Sequence, residues 1–375
     1  HFDWNYLFQR ARLLGIEHTL SRLSRIYDKE SHISTEKLST SAYGDNEFQI
    51  MKIYGVTQLD LMFIIQREHK LESYKLNSVA KIFTGQEKDD LPPAQIFAKS
   101  MSTKDQVAIV VKYCAQDTFL VIELIMKLRI IPNIIAMSNI ANVPINYIEL
   151  RGQQIKVHSQ LALEARLESY LIPTVPYKSS SDADPDEEKF TGATVLEAVP
   201  GAHFEPIAGL DFASLYPSIM MAHNICYATI VQDPKFDNIP GIEYEDISWK
   251  EESGVEHSIR FVQNMKGLLP KMLGKLWKER KAIKKQMKTT TNKDEYDVLN
   301  GVQLAIKVSM NSIYGFTGAN FGRLPKKELA AAVTAQGRKM IEHSKKCAEE
   351  WYDCEVVYGD TDSIYVKYRT EFKGQ

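Results

Sequence analysis

The sequence predicts a multidomain chain of mixed α/β and α+β class, and three observations carry that expectation. Its 375 residues are 44% hydrophobic and 25% charged, an ordinary globular composition long enough for two or three packed cores. The hydrophobic period changes along the chain, helical in several stretches and strand-like at 356–366. A polar, acidic stretch, "YKSSSDADPDEEKF" at 177–190, divides the chain and reads as a surface loop or linker. No apolar run reaches the roughly 18–20 residues of a membrane span, and no charged-then-apolar leader precedes the first domain. Cys114, Cys226, Cys347 and Cys354 lie far apart with no C-x-x-C pair, which fits reduced thiols and no zinc site. These features read as a soluble, non-secreted chain. The net charge of −2 decides nothing about nucleic acid, because the placement of charge matters.

The segment to about residue 130 mixes helix-like stretches with shorter apolar ones such as "DLMFIIQ" and ends in the helical "QDTFLVIELIMKLRII"; it reads as one α/β unit. A connector follows, in which Gln153 to Leu167 repeats apolar residues at helical spacing, with Ile155, Leu161, Leu163 and Leu167 on its pattern. Beyond the acidic stretch, "PIAGLDFASLYPSIMMAHN" begins as a buried strand ending at Asp211 and turns to helix near Ser214. Such a strand end sits well in a cleft. Helical patterns from Leu268 to about Lys288 and from about Tyr296 to Tyr314 flank the polar "TTTNKDE", which predicts an antiparallel helical hairpin. A further helix from about Pro325 to Tyr352 leads into two short strands in "VVYGDTDSIYV".

The charges in these elements point to chemistry. Asp360 and Asp362 are two apart at a hairpin tip, where like charges are tolerated if water surrounds them or a cation lies between them. Between Gly267 and Lys288 stand eight basic residues and one acid, either a solvated basic helix or a surface for phosphates. Arg280 and Lys284 share one helix face; Lys307, Asn311 and Tyr314 share another. Lys307 lies between Ile306 and Val308, a setting in which a lysine usually has a partner. Carboxylates at two strand ends beside a cation cluster make the parts for phosphoryl or nucleotidyl transfer. Acids hold two Mg²⁺ ions and cations hold the nonreacting phosphates.

"DFASLYPSI" at 211–219, "KVSMNSIYG" at 307–315 and "YGDTDS" at 358–363 resemble, in order, the three polymerase motifs of family B DNA polymerases. Further wording, "DFASLYPSIMMAHNICYAT" and "NSIYGFTGA", is most similar to the delta branch and to polymerases of large DNA viruses. The resemblance implies a palm with an antiparallel sheet at 193–260 and 319–375, fingers formed by a helical hairpin at 261–318, and an RNase H-like 3'-5' exonuclease remnant at 1–130. Residues 131–192 are the expected connector and linker. It further implies that Asp211 and Asp362 hold the metals with the carbonyl of Phe212, that Asp360 is auxiliary, and that Tyr216 is the steric gate against a 2'-hydroxyl. Ser214, Leu215, Arg280, Lys284, Lys307 and Asn311 would contact the nucleotide, and Tyr314 and Gly315 would border the nascent base pair. The implied cofactor is a pair of Mg²⁺ ions, with Mn²⁺ as a substitute.

In the amino-terminal part, "HFDWNYLFQRA" and "YCAQD" resemble the second acidic and the Tyr-x-x-x-Asp exonuclease motifs, giving Asp3, Tyr113 and Asp117. The family's further D-x-E pair is expected before this chain's first residue, and its thumb after the last, so the chain reads as an interior piece without proofreading of its own. "DEE" at 186–188 and "DCE" at 353–355 have the spacing in the wrong order. Implied partners are primer-template DNA, deoxynucleoside triphosphates, a sliding clamp and accessory subunits; none is a membrane. Localisation follows as nuclear for a cellular enzyme, and host nucleus or cytoplasmic replication factory for a viral one. The alternative is a catalytically inactive, polymerase-like structural or DNA-binding subunit.

Overall fold

The computed structural model describes residues 2–40, 44–87, 91–175, 191–250, 254–319, 322–352 and 354–368. The linker expected at 177–190 lies outside them. Two compact units form, one from 1–152 with 290–302, the other from 153–289 with 303–375. Among the described residues no helix is long and apolar enough to cross a membrane.

The first unit opens with α1 (Phe2–Leu13) and α2 (Glu17–Ser21) and an antiparallel hairpin of β1 (His32–Thr40) and β2 (Gly44–Lys52). Helices α3 (Leu61–Glu68), α4 (Leu76–Thr84) and α5 (Pro93–Ser100) follow, then α6 (Lys104–Lys127), α7 (Ile130–Ala141) and α8 (Ile145–Leu150). The α/β expectation is corrected here: the strands described in this unit pair only with each other. "DLMFIIQ" is helical because the Asp60 side chain accepts from Met62 N at 3.0 Å and caps the first turn of α3. The connector expected from 131 also begins later. Ile130, Ile134, Ala141, Val143 and Ile148 pack with Ile64 of α3 in one core, so α7 and α8 belong to this unit by apolar burial.

The second unit starts with α9 (Gln153–Leu167), whose bounds match the apolar spacing. Then come β3 (Val195–Leu196), β4 (Ile207–Asp211), α10 (Leu215–Ala222), β5 (Ile230–Val231), β6 (Tyr244–Lys250) and β7 (Glu256–Val262). After them run α11 (Leu268–Thr289), α12 (Lys293–Thr317, in this unit from Gln303), α13 (Lys327–Trp351), β8 (Cys354–Asp360) and β9 (Ser363–Tyr368). One sheet has the order β3-β8-β9-β4 with every pair antiparallel. Its apolar face, Val356, Ile364 and Val366, packs under Ile341 and Ala348 of α13. The expectation that the strand ending at Asp211 is buried is corrected: β4 pairs with β9 alone, and as an edge strand it leaves Leu210 50% exposed. A second sheet has the order β5-β7-β6; its strands were not read individually in the sequence. The hairpin of α11 and α12 reverses at 290–292, and Arg280 Nε on one arm donates to Gln303 Oε1 on the other at 3.2 Å.

Candidate active site

Strand pairing assembles the acids. Ser363 of β9 faces Asp360 of β8 on one side and Asp211 of β4 on the other. The two-residue turn between β8 and β9 is tight: Asp362 N donates to Asp360 O at 2.6 Å, and Thr361 takes a left-handed φ of 55°. Phe212 N donates to Asp362 O at 2.8 Å, which fastens the end of β4 to this turn. The Asp362 carboxyl is thereby held above the usual carboxylate range, first by partial burial and then by the negative charges of Asp211 and Asp360. Asp360 differs. It is exposed, and its Oδ1 accepts from the Thr361 hydroxyl at 2.8 Å.

Among the described residues no three Asp, Glu, His or Cys side chains converge tightly enough to hold a metal by themselves. Two carboxylates whose charges oppose each other, beside a main-chain carbonyl, form an incomplete set of hard oxygen donors. Mg²⁺ is commonly held in that way, with substrate phosphate oxygens and water filling the remaining positions. The residues therefore fit the ion.

The chain turns from strand to helix directly after Asp211. Ser214 adopts a left-handed conformation (φ 54°), and the Ser218 hydroxyl donates to Ala213 O at 3.0 Å. Helix α10 then buries Leu215 and leaves Tyr216 half-buried. The Tyr216 and Tyr314 rings lie 4.3 Å apart between centroids at a 36° tilt, so two side chains expected at the site do meet. Gly337 of α13 backs Tyr216, since a Cβ there would stand 3.6 Å from Tyr216 Cε1. Burial raises the Tyr216 hydroxyl, and the Asp362 charge adds to it. The Tyr314 hydroxyl is pushed up to about 12 by burial and by Tyr216. Both stay protonated near neutral pH.

The cations are spread along the hairpin. Gln303, Lys307 and Asn311 follow one another at four-residue spacing on α12, and Gln303 holds Arg280. Lys307 is thus one turn from that bond toward the base of the hairpin, whereas Lys284 is one turn from it toward the tip. They stand about 12 Å apart along the axes, at 1.5 Å per residue. Lys307 is exposed, as are Lys284, Asn311 and Gly315. Lys307 joins no described residue by hydrogen bond or ion pair and lies on the outer face beside the exposed Leu304 and Val308. In the basic tract Lys271 is engaged by Glu168, directly after α9, and Lys275 by Glu164 of α9.

The exonuclease candidates lie in the first unit: Asp3 is exposed in the first turn of α1, and Tyr113 and Asp117 are one turn apart on α6. "DEE" and Asp353 of "DCE" fall outside the described residues. Two side chains near the site went unread in the sequence. Gln303 shares the Lys307 stripe, which four-residue spacing makes legible. Arg338 of α13 acts on both tyrosines, its charge favouring their ionised forms, and donates to Thr191 O at 2.9 Å and Gly192 O at 2.7 Å; no local pattern signals it.

The model for DNA polymerase family B matches residues 143–374, and that for the family's exonuclease domain matches 1–79. The DNA polymerase delta catalytic subunit of Candida albicans is 40% identical over 381 residues, covering 98% of this chain and 35% of the relative. The DNA polymerase of Paramecium bursaria Chlorella virus NY2A is likewise 40% identical, over 98% of this chain and 41% of its own length. Among solved structures, the family B DNA polymerase of the archaeon Pyrobaculum calidifontis superposes with a TM-score of 0.68 at 26% identity, over 98% of this chain and 44% of that one. The chain spans well under half the length of these relatives.

Proposed function

Because the chain belongs to DNA polymerase family B, we propose that it carries the nucleotidyl-transfer site of a template-directed DNA polymerase of the delta type, with part of a 3'-5' exonuclease domain in its first unit. One observation supports this most: Phe212 N on Asp362 O joins two carboxylate-bearing strand ends beside the Tyr216–Tyr314 pair. In this reading Asp211, Asp362 and the Phe212 carbonyl are the protein ligands of two Mg²⁺ ions. Such ions would supply activation of the primer 3'-hydroxyl and neutralisation of charge on the leaving pyrophosphate. The 3'-hydroxyl would attack the α-phosphate in line and give its proton to solvent water, while the bond from the α-phosphorus to the oxygen that bridges to the β-phosphate breaks and pyrophosphate leaves. Arg280 and Lys307 grip the nonreacting phosphates, with Lys284 toward the outer end and Asn311 supporting the pocket. Tyr216, held by Tyr314 and Gly337, closes the floor under the sugar and leaves no room for a 2'-hydroxyl. Gly315, exposed on α12, permits close approach of the nascent base pair.

The partners in this reading are primer-template DNA and deoxynucleoside triphosphates, in a nuclear or viral replication setting. Primer extension tests it. Asp362→Ala should reduce incorporation by several orders of magnitude with unchanged DNA affinity; extension at the parental rate would contradict the assignment. The same result would favour the inactive structural subunit, for which retention of Asp211, Asp362, Tyr216 and Lys307 gives no support.

A further inference from the structure

Helix α9 contains none of the site residues named above, yet a polar stripe at four-residue spacing runs along it and just past its end: Gln160 and Glu164 in the helix, and Glu168 directly after its last residue. Each member has a partner on the hairpin. Gln160 Oε1 accepts from the Ser309 hydroxyl of α12 at 2.8 Å, in a buried setting. Both oxygens of Glu164 accept from Lys275 Nζ of α11, at 2.7 and 2.6 Å. Glu168 accepts from Lys271 Nζ at 2.8 Å. Adjacent turns of one rigid helix therefore hold the two arms of the hairpin separately.

Where these bonds fall on the arms is informative. Ser309 lies between Lys307 and Asn311 in sequence and, at 100° per residue, on the opposite face of α12. The bond to Gln160 thus pins the helix from behind. On α11, Lys275 precedes Arg280 by five residues, between the root of the helix and the phosphate-facing position. Glu164 is buried, with only 10% of its side chain exposed, while the Lys275 side chain is 59% exposed, so the bonds are charge-assisted, with a fixed acceptor and a donor that solvent partly screens. An arm carrying so many lysines is otherwise repelled from any neighbouring cation.

We propose that Gln160 and Glu164 are positioning residues for nucleotide capture: together they set the gap between α11 and α12, and with it the spacing of Arg280 and Lys307. The inference rests on the reading of those two cations as the triphosphate site. A clasp of this kind acts on the nonreacting phosphates and so affects capture of the nucleotide more than the chemical step.

The test is steady-state incorporation by the intact protein on primer-template DNA, with thermal unfolding measured in parallel. Glu164→Gln should raise the KM for the deoxynucleotide about tenfold while kcat and DNA affinity stay within about twofold. The charge-swapped pair Glu164→Lys/Lys275→Glu should return KM to near the parental value, and it provides the test where single variants fold poorly. A Glu164→Gln protein with parental KM, or a folded swap whose KM stays as high as that of the single variant, overturns the clasp. Lys307→Ala in the same assay separates the two ideas. If Lys307→Ala raises KM and Glu164→Gln does not, only the clasp fails; if Lys307→Ala leaves KM unchanged, the phosphate reading fails and the clasp with it.

Discussion

Tyr216 touches its surroundings on two sides, with Tyr314 at 4.3 Å between ring centroids and the Gly337 backbone behind it, so its ring is a fixed wall. Truncation to alanine should open the space a 2'-hydroxyl needs, and ribonucleotide incorporation relative to deoxynucleotide should rise by tenfold or more, on the order of 1.4 kcal/mol of lost discrimination. Competitive incorporation assays read this directly, and an unchanged ratio would remove Tyr216 from sugar selection. The two acids of the hairpin should also separate. Asp360→Ala should cost far less activity than Asp362→Ala, because Asp360 is exposed and already bonded by Thr361. A third prediction concerns Glu149 in the first unit. Burial raises its pKa to about 6, although it accepts from Asp60 N at 2.8 Å. An acid whose folded pKa is raised stabilises the fold below its unfolded pKa and loses that contribution as pH climbs through the folded one. Wild-type stability should therefore fall between about 4.5 and 6 relative to Glu149→Gln, which keeps the acceptor, and the variant should melt higher at pH 7. At this scale it was the resemblance of whole motifs, not the spacing of single residues, that pointed to Asp211, Asp362 and Tyr216. Arg338, Gln160 and Glu164 were not legible, since their partners lie more than a hundred residues away in sequence.

Elements were legible in proportion to their periodicity. Helices α9, α11 and α13 appeared within a few residues of their ends because their apolar stripes are long and regular, and α12 because a polar turn precedes it. Strands β6 and β7 escaped notice: β6 buries fully only Ile247 and β7 only Phe261, leaving too little alternation to see. "DLMFIIQ" misled for the opposite reason, a short apolar run that fits strand or buried helix until its Asp60 cap is weighed. The root of α11 is set by tight packing. Gly267 N donates to Asn224 Oδ1 at 2.9 Å, while Asn224 Nδ2 donates to the carbonyls of Val262 and Met265. A Cβ on Gly267 would lie 2.5 Å from Cys226 Cβ. Gly267→Ala should consequently destabilise the protein by about 1–3 kcal/mol, seen as a lower unfolding midpoint. An unchanged midpoint would mean that the α10–α11 junction is softer than this packing implies.

For the whole molecule, the sequence pointed to mixed helix and sheet, which the structure has, and the structure divides the chain at other places than the sequence did. The first compact unit runs to Gly152 and takes in 290–302, a grouping of residues distant in sequence that no local pattern signals. Net charge was uninformative, as a value of −2 conceals a basic helix in which Glu168 and Glu164 engage Lys271 and Lys275. The central claim is that the second unit holds a nucleotide between the acid pair, the tyrosine wall and the hairpin cations. It is tested most directly by calorimetric binding of a deoxynucleoside triphosphate to the folded protein, with and without Mg²⁺, against a ribonucleotide competitor and an Arg280→Ala/Lys307→Ala variant. The account predicts Mg²⁺-dependent binding that favours the deoxynucleotide by about tenfold or more and weakens by at least about tenfold in the variant. Binding of both nucleotides alike, or a folded variant that binds as tightly as the parent, would contradict it.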